Sequence, residues 1–177
     1  MARRFRSSLA LVSAVSLIFT LPDSLAAQNR FLPDGPAVGG SVDRFIYEGD
    51  GITAVSFRFS GLRAGKVGSE IAVSLFPDAL SAGALYLAPD LGPAFNVSGP
   101  GFSVLFKGGI SSLAGLGGGV SFTPGYHLGG GLIVQAGNRL GIRVDVIRHF
   151  YLIDNETERL WSVGLGFTSL GRRIVPR

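Results

Sequence analysis

The two histidines, His127 and His149, are the side chains of this sequence whose ordinary pKa lies closest to neutrality. His149 shares strand parity with Asp145 and Arg143, so an imidazole and a carboxylate four residues apart can face the same side of an extended segment. Such a pair could serve as base and orienter in proton transfer. The preferred reading is structural. His149 then belongs to an internal polar network with Arg58, Glu70, Lys107, Arg143 and Asp145. No serine, threonine or cysteine stands at a spacing that completes a nucleophile–base–orienter set from sequence alone.

Other chemistries are poorly supported. Cysteine is absent and no metal-ligand spacing appears, so no metal site and no cofactor are expected. The glycines at 115 and 117–119 lack the strand, spacing and helix of a dinucleotide fingerprint, and close packing accounts for them better. Asn96-Val97-Ser98 and Asn155-Glu156-Thr157 fit the glycosylation acceptor pattern, but neither is expected to be used. Basic residues form no stripe interleaved with aromatics, which argues against a nucleic-acid partner.

The elements that would position these residues are strands, most legibly from Arg139 to Leu170. Leu140, Ile142, Val144 and Val146 alternate with Gly141, Arg143 and Asp145, and Trp161, Val163, Leu165 and Phe167 alternate with Ser162, Gly164, Gly166 and Thr168. Side chains alternate between the faces of a strand, so each segment has one apolar face. The polar run Asp154–Arg159 joins them as a hairpin. Earlier in the chain, Val38–Tyr47 predicts a first strand of poor alternation, turned by Glu48–Gly51. Val55, Phe57 and Phe59 face away from Ser56 and Arg58 on a second strand, followed by a turn over Gly61–Lys66. Ile71 and Val73 oppose Glu70 and Ala72 on a third, which ends at Pro77-Asp78. A fourth, about Gly83–Val97, contains Pro89 and Pro93, which predict bulges or a frayed edge. After the turn Ser98–Gly101, Val104 and Phe106 oppose Lys107 on a fifth. Residues 108–126 read as strand end or loop, with an external loop expected near 110–124. A sixth strand covers Tyr126–Gln135, and Ala136–Asn138 turns into the seventh. The total is eight strands.

The N-terminus adds a compartment. Arg3, Arg4 and Arg6 precede an apolar run over Leu9–Leu21, and Ser24-Leu25-Ala26 supplies small residues suited to cleavage, the pattern of a secretory signal peptide over 1–26. The remainder divides into an irregular lead-in over 27–37, one β-barrel domain over 38–171 and a basic tail over 172–177. Three of the 16 basic residues and one of the 12 acidic residues lie in 1–26, so the mature net charge is +2 against +4 for the whole. Only 16% of residues are charged, and lysine occurs only at Lys66 and Lys107. Soluble surfaces carry roughly 25–35% charged residues, so this chain is short of polar covering.

Alternation alone does not say which face is inside. A lipocalin-like soluble carrier would turn the apolar face inward around a greasy ligand, whereas a membrane barrel turns it toward lipid. The polar parity is mostly Gly, Ala and Ser with isolated charges of both signs, which suits a narrow interior better than an aqueous exterior. The expected fold is therefore an all-β, antiparallel, eight-stranded up-and-down transmembrane barrel, its residues Val55, Phe57, Phe59, Ile71, Val73, Val104, Phe106, Leu140, Ile142, Val144, Val146, Trp161, Val163, Leu165 and Phe167 facing lipid. Aromatics near strand ends, Phe150, Tyr151 and Trp161 among them, would form interfacial girdles. Eight strands enclose a lumen that side chains fill, so a pore is not expected.

The segments Gly141–His149 and Trp161–Phe167 make the chain resemble small bacterial outer-membrane β-barrels, of the type seen in the transmembrane domain of outer-membrane protein A. In that class the last strand carries an assembly signal of polar residue, glycine and two apolar residues. Ser162, Gly164 and Phe167 match it, while Ser169 stands where the second apolar residue is usual, and the chain runs on through Gly171 to Arg177. The resemblance implies residence in the outer membrane, delivery by the barrel-assembly machinery, contact with membrane lipid, and a non-enzymatic structural or surface-interaction role through external loops whose partner is unspecified. A lipid-modifying barrel enzyme is the alternative. The His-x-Ser pair of one lipid A deacylase class is absent, because Leu128-Gly129 follow His127 and Phe150-Tyr151 follow His149.

Overall fold

A computed structural model of the chain describes residues 35–63, 65–117, 120–137 and 139–169. The signal peptide expected over 1–26 and the basic tail over 172–177 lie outside them. Eight strands follow one another around a closed barrel: β1 (Gly35–Tyr47), β2 (Asp50–Arg63), β3 (Lys66–Leu75), β4 (Leu85–Gly99), β5 (Phe102–Leu116), β6 (Val120–Gln135), β7 (Leu140–Ile153) and β8 (Glu156–Ser169). Each pairs antiparallel with its neighbour in sequence, and β8 returns to β1 through partners such as Val42↔Leu165 and Phe45↔Ser162. Closure leaves no strand edge with unpaired N–H and C=O groups. A single short helix, α1 (Pro77–Ser81), interrupts the pattern between β3 and β4.

Tight turns set the registers. Glu48 and Gly49 have φ of 49° and 99°, and Asp154 and Asn155 have φ of 50° and 66°. Two consecutive positive φ values give the turn whose twist matches an antiparallel hairpin, and Asx and Gly tolerate them best. We call the end bearing these turns and α1 the outer end, and the end where β1 starts and β8 stops the inner end.

Three expectations need correction. β1 begins at Gly35, so residues 35–37 of the supposed lead-in are strand, paired with Ser60–Leu62. β4 carries Pro89 and Pro93 without a bulge: Leu87↔Ala114, Asp90↔Ser111 and Ala94↔Lys107 keep one register, and the ladder merely lapses beside each proline, which has no N–H to donate. The external loop expected near 110–124 is instead two strand ends, paired from Ile110↔Tyr126 to Leu116↔Val120. Glycine and serine hid this hairpin because they dilute the apolar alternation without breaking the ladder. It is the longest in the barrel and has no charged residue from 108 to 126, yet Val120 at its tip is 84% exposed.

Candidate functional site

The interior is built in layers, each from side chains that alternate inward on several strands. At mid-height three cations meet three carboxylates. Arg143 from β7 grips two acids at once, with Nη1 2.8 Å from Glu70 Oε2 and Nε 2.7 Å from Asp145 Oδ2. Lys107 from β5 lies 2.9 Å from Glu70 Oε1 and 2.9 Å from Asp145 Oδ1. Arg58 from β2 reaches Asp43 of β1 at 3.0 Å and donates to the Ser41 hydroxyl. Ser56 donates to Asp43, and Ser60 donates to Glu70 at 2.8 Å. All six ions are buried. Charges removed from water are tolerable only when paired and fully hydrogen-bonded, and three against three achieves neutrality. The room comes from small neighbours: a Cβ added at Gly164 would collide with the Asp43 carboxylate.

Asp43 completes this balance and is not legible in the sequence, because β1 mixes its faces: Phe45 shares the inward parity with Ser41 and Asp43, and Arg44 shares the outward one with Val42. His149 stands apart from the cluster. Instead of Asp145, it faces Asp90 of β4, with Nδ1 3.7 Å from Oδ1, while Nε2 sits 3.0 Å from Ser162 Oγ on β8. His127 approaches the same Asp90 oxygen at 3.6 Å. Serine, imidazole and carboxylate are thus brought into a row from three strands, in the order of an acyl-transfer set. The row is closed off, however. His149 and Ser162 are buried, and Phe45 packs over the imidazole with ring centroids 5.2 Å apart. A void of about 10 Å³, room for one water, adjoins Asp90 and His127 but is not lined by Ser162. The row forms a polar layer above the ions.

Below the ions, toward the inner end, Leu62, Ala94, Leu105 and Ile133 form a fully buried apolar plug. Above the histidines the interior turns apolar again, but here it opens. Phe45, Ala54, Phe76 and Ala88 form a second cluster, with Ala79 of α1 and Leu113 packed against it. Phe45, Phe76, Ala79 and Leu113 line an apolar cup of about 440 Å³ at the outer end, together with Ile52, Tyr86, Tyr151 and Leu160. β3 has only 10 residues against 15 in β4, so one stave of the wall is short, and α1 covers part of the gap.

The outer wall contrasts with all of this. The residues named above as lipid-facing point outward without exception: Val55, Val73 and Val104 are half-covered and the rest exposed. Tyr126 stacks on Phe150 at 4.6 Å, and the Arg148 guanidinium lies over Phe150 and Trp161 at 5.3 and 5.1 Å. Tyr151 does not join this band, contrary to its expected place in a girdle. It turns inward, 1% exposed, because it shares parity with His149.

No protein-family model matches the chain, and no curated protein matches it in sequence. Solved structures do match in fold. Neisserial surface protein A aligns with TM-score 0.51 and 10% identity over 77% of this chain and 96% of its own. The N-terminal β-barrel domain of Pseudomonas aeruginosa OprF aligns with TM-score 0.54 and 12% identity over 75% and 96%. A de novo designed transmembrane β-barrel aligns with TM-score 0.50 and 13% identity over 80% and 97%. The chain therefore has the fold of small eight-stranded outer-membrane β-barrels. That a designed protein shares it shows how little the fold alone says about activity.

Proposed function

We propose that this chain is a non-enzymatic outer-membrane β-barrel whose interior is a structural plug and whose outer end is its interaction surface. The observation that carries the reading is the inversion of the barrel: apolar side chains dominate the outer wall on every strand, with Arg44 and Arg148 as outward cations toward the outer end, whereas six paired ions occupy its centre. In water this would expose Phe57, Phe59, Leu165 and Phe167 at half or more of their surface, far beyond the apolar patch a soluble monomer carries. In a bilayer the same residues face hydrocarbon, and closure satisfies every stave. The fold likeness to outer-membrane barrels supports this placement. Export by the leader at 1–26, insertion by the barrel-assembly machinery through β8, and contact with membrane lipid belong to the same proposal.

Fractionation of expressing cells tests it. The protein is expected in the outer-membrane fraction, with faster migration of unheated than of heated sample on a denaturing gel. Recovery in the soluble periplasm would contradict it.

A further inference from the structure

We propose that the outer cup is a binding site for a small organic cation, an ammonium group carried on an apolar body. The inference deepens the reading of the outer end as the interaction surface, and its test separates the two. Four aromatic rings line the cup, Phe45, Phe76, Tyr86 and Tyr151, with Phe45 and Phe76 edge to face at 5.1 Å. Its volume of about 440 Å³ falls within the roughly 300–1,000 Å³ of small-molecule pockets. An enclosure of aromatic faces attracts an alkylated ammonium through the negative face of each ring, while the apolar walls accept its substituents.

The charge around the mouth has the complementary sign. The outer turns and the strand ends beside them carry Glu48, Asp50, Asp78, Asp154, Glu156 and Glu158, against Arg159 and Arg44, whose guanidinium lies beside Gly51, among the described residues. Asp78 lines the cup itself, and Glu158 accepts a hydrogen bond from Tyr47 at 2.9 Å on the rim. An anionic amphiphile would meet this rim unfavourably, and a neutral one would gain nothing from it.

The experiment titrates the full-length folded protein in lipid nanodiscs with three water-soluble probes of similar size: benzyltrimethylammonium, benzyl alcohol and phenylacetate. Backbone amide shifts of Ala79 and Leu113 report binding. Benzyltrimethylammonium is expected to give saturable shifts and to bind roughly tenfold more tightly than phenylacetate. The double variant Asp78→Asn with Glu158→Gln should reduce that ratio to about threefold or less. Leu113→Trp, which fills the cup from β5, should abolish binding. Ala79→Trp, placed on α1 outside the barrel wall, should do the same without loading the ladder. Heat-dependent gel migration of each sample reports the inserted barrel separately. Absence of saturable binding with that migration intact would overturn the cup and leave the barrel standing. Phenylacetate binding as tightly as the cation, or binding indifferent to both Trp variants, would also overturn it.

Discussion

The two ends of the barrel are made of the same staves and finished in opposite ways. At the inner end Leu62, Ala94, Leu105 and Ile133 converge from β2, β4, β5 and β6 until none retains more than 1% of its surface, and the charged side chains nearby are Lys66 and Arg139. At the outer end the apolar residues are larger and more aromatic, yet they leave a cup, and the surrounding turns are acidic. Aliphatic side chains of moderate size interdigitate across a narrow tube and exclude space. Rings attached to staves of unequal length cannot all meet, and the short β3 with α1 beside it keeps the outer end open. The contrast teaches that the tube is sealed from one side only, with the ionic layer as the floor common to both.

That contrast can be broken in graded ways. The largest effect is expected at the shared floor. Arg143→Met removes the guanidinium that pairs Glu70 with Asp145, leaving three buried carboxylates, Asp43, Glu70 and Asp145, with only Lys107 and Arg58 to balance them. A loss of about 3–5 kcal/mol is expected, read from denaturant unfolding of the lipid-embedded protein. Leu105→Ala in the inner plug should cost about 2–5 kcal/mol, since its neighbours are too constrained to fill the gap. On the outer wall, Val144→Arg should cost about 2–4 kcal/mol where the bilayer is driest. Leu113→Ala, the outer counterpart of Leu105→Ala, should cost less than about 1.5 kcal/mol because Leu113 already borders open space. Equal losses at Leu105 and Leu113 would erase the distinction between the ends. The smallest effect belongs to Tyr151→Phe, which deletes an unpartnered hydroxyl and should change stability by no more than about 0.5 kcal/mol in the same unfolding assay.

How far the sequence discloses this depends on how each residue signals. The hairpin of β7 and β8 is legible because its apolar residues sit at every second position and its turn is polar. Such alternation also separates Arg143 and Asp145 from Val144 before any coordinate is known. The outer half of the hairpin of β5 and β6, residues 108–126, is not legible, because glycine and serine dilute the hydropathy and so hide the period. Partners across strands are invisible for a different reason. Asp90, His149 and Ser162 come together only through barrel closure, and the spacing that unites them is set by register, not by distance along the chain. Inward parity identifies Arg58, Glu70, Lys107, Arg143 and Asp145 as interior residues, but which of them pair is decided by the shear of the closed sheet. The cup is hidden too: Pro77 marks where β3 stops, but which rings from the other strands meet above it is set by register.

The absence of cysteine makes the central claim directly measurable. Single cysteines at Phe57, Val144 and Leu165, each labelled with a nitroxide in protein reconstituted into liposomes, compare collision with oxygen, which concentrates in hydrocarbon, against collision with a polar nickel chelate, which stays in water. The account predicts high oxygen and low chelate accessibility at all three positions, deepest nearest the middle of the wall. Chelate accessibility at Val144 and Leu165 equal to that of a label on the Asp154–Asn155 turn would contradict it, because the outer wall would then be facing water.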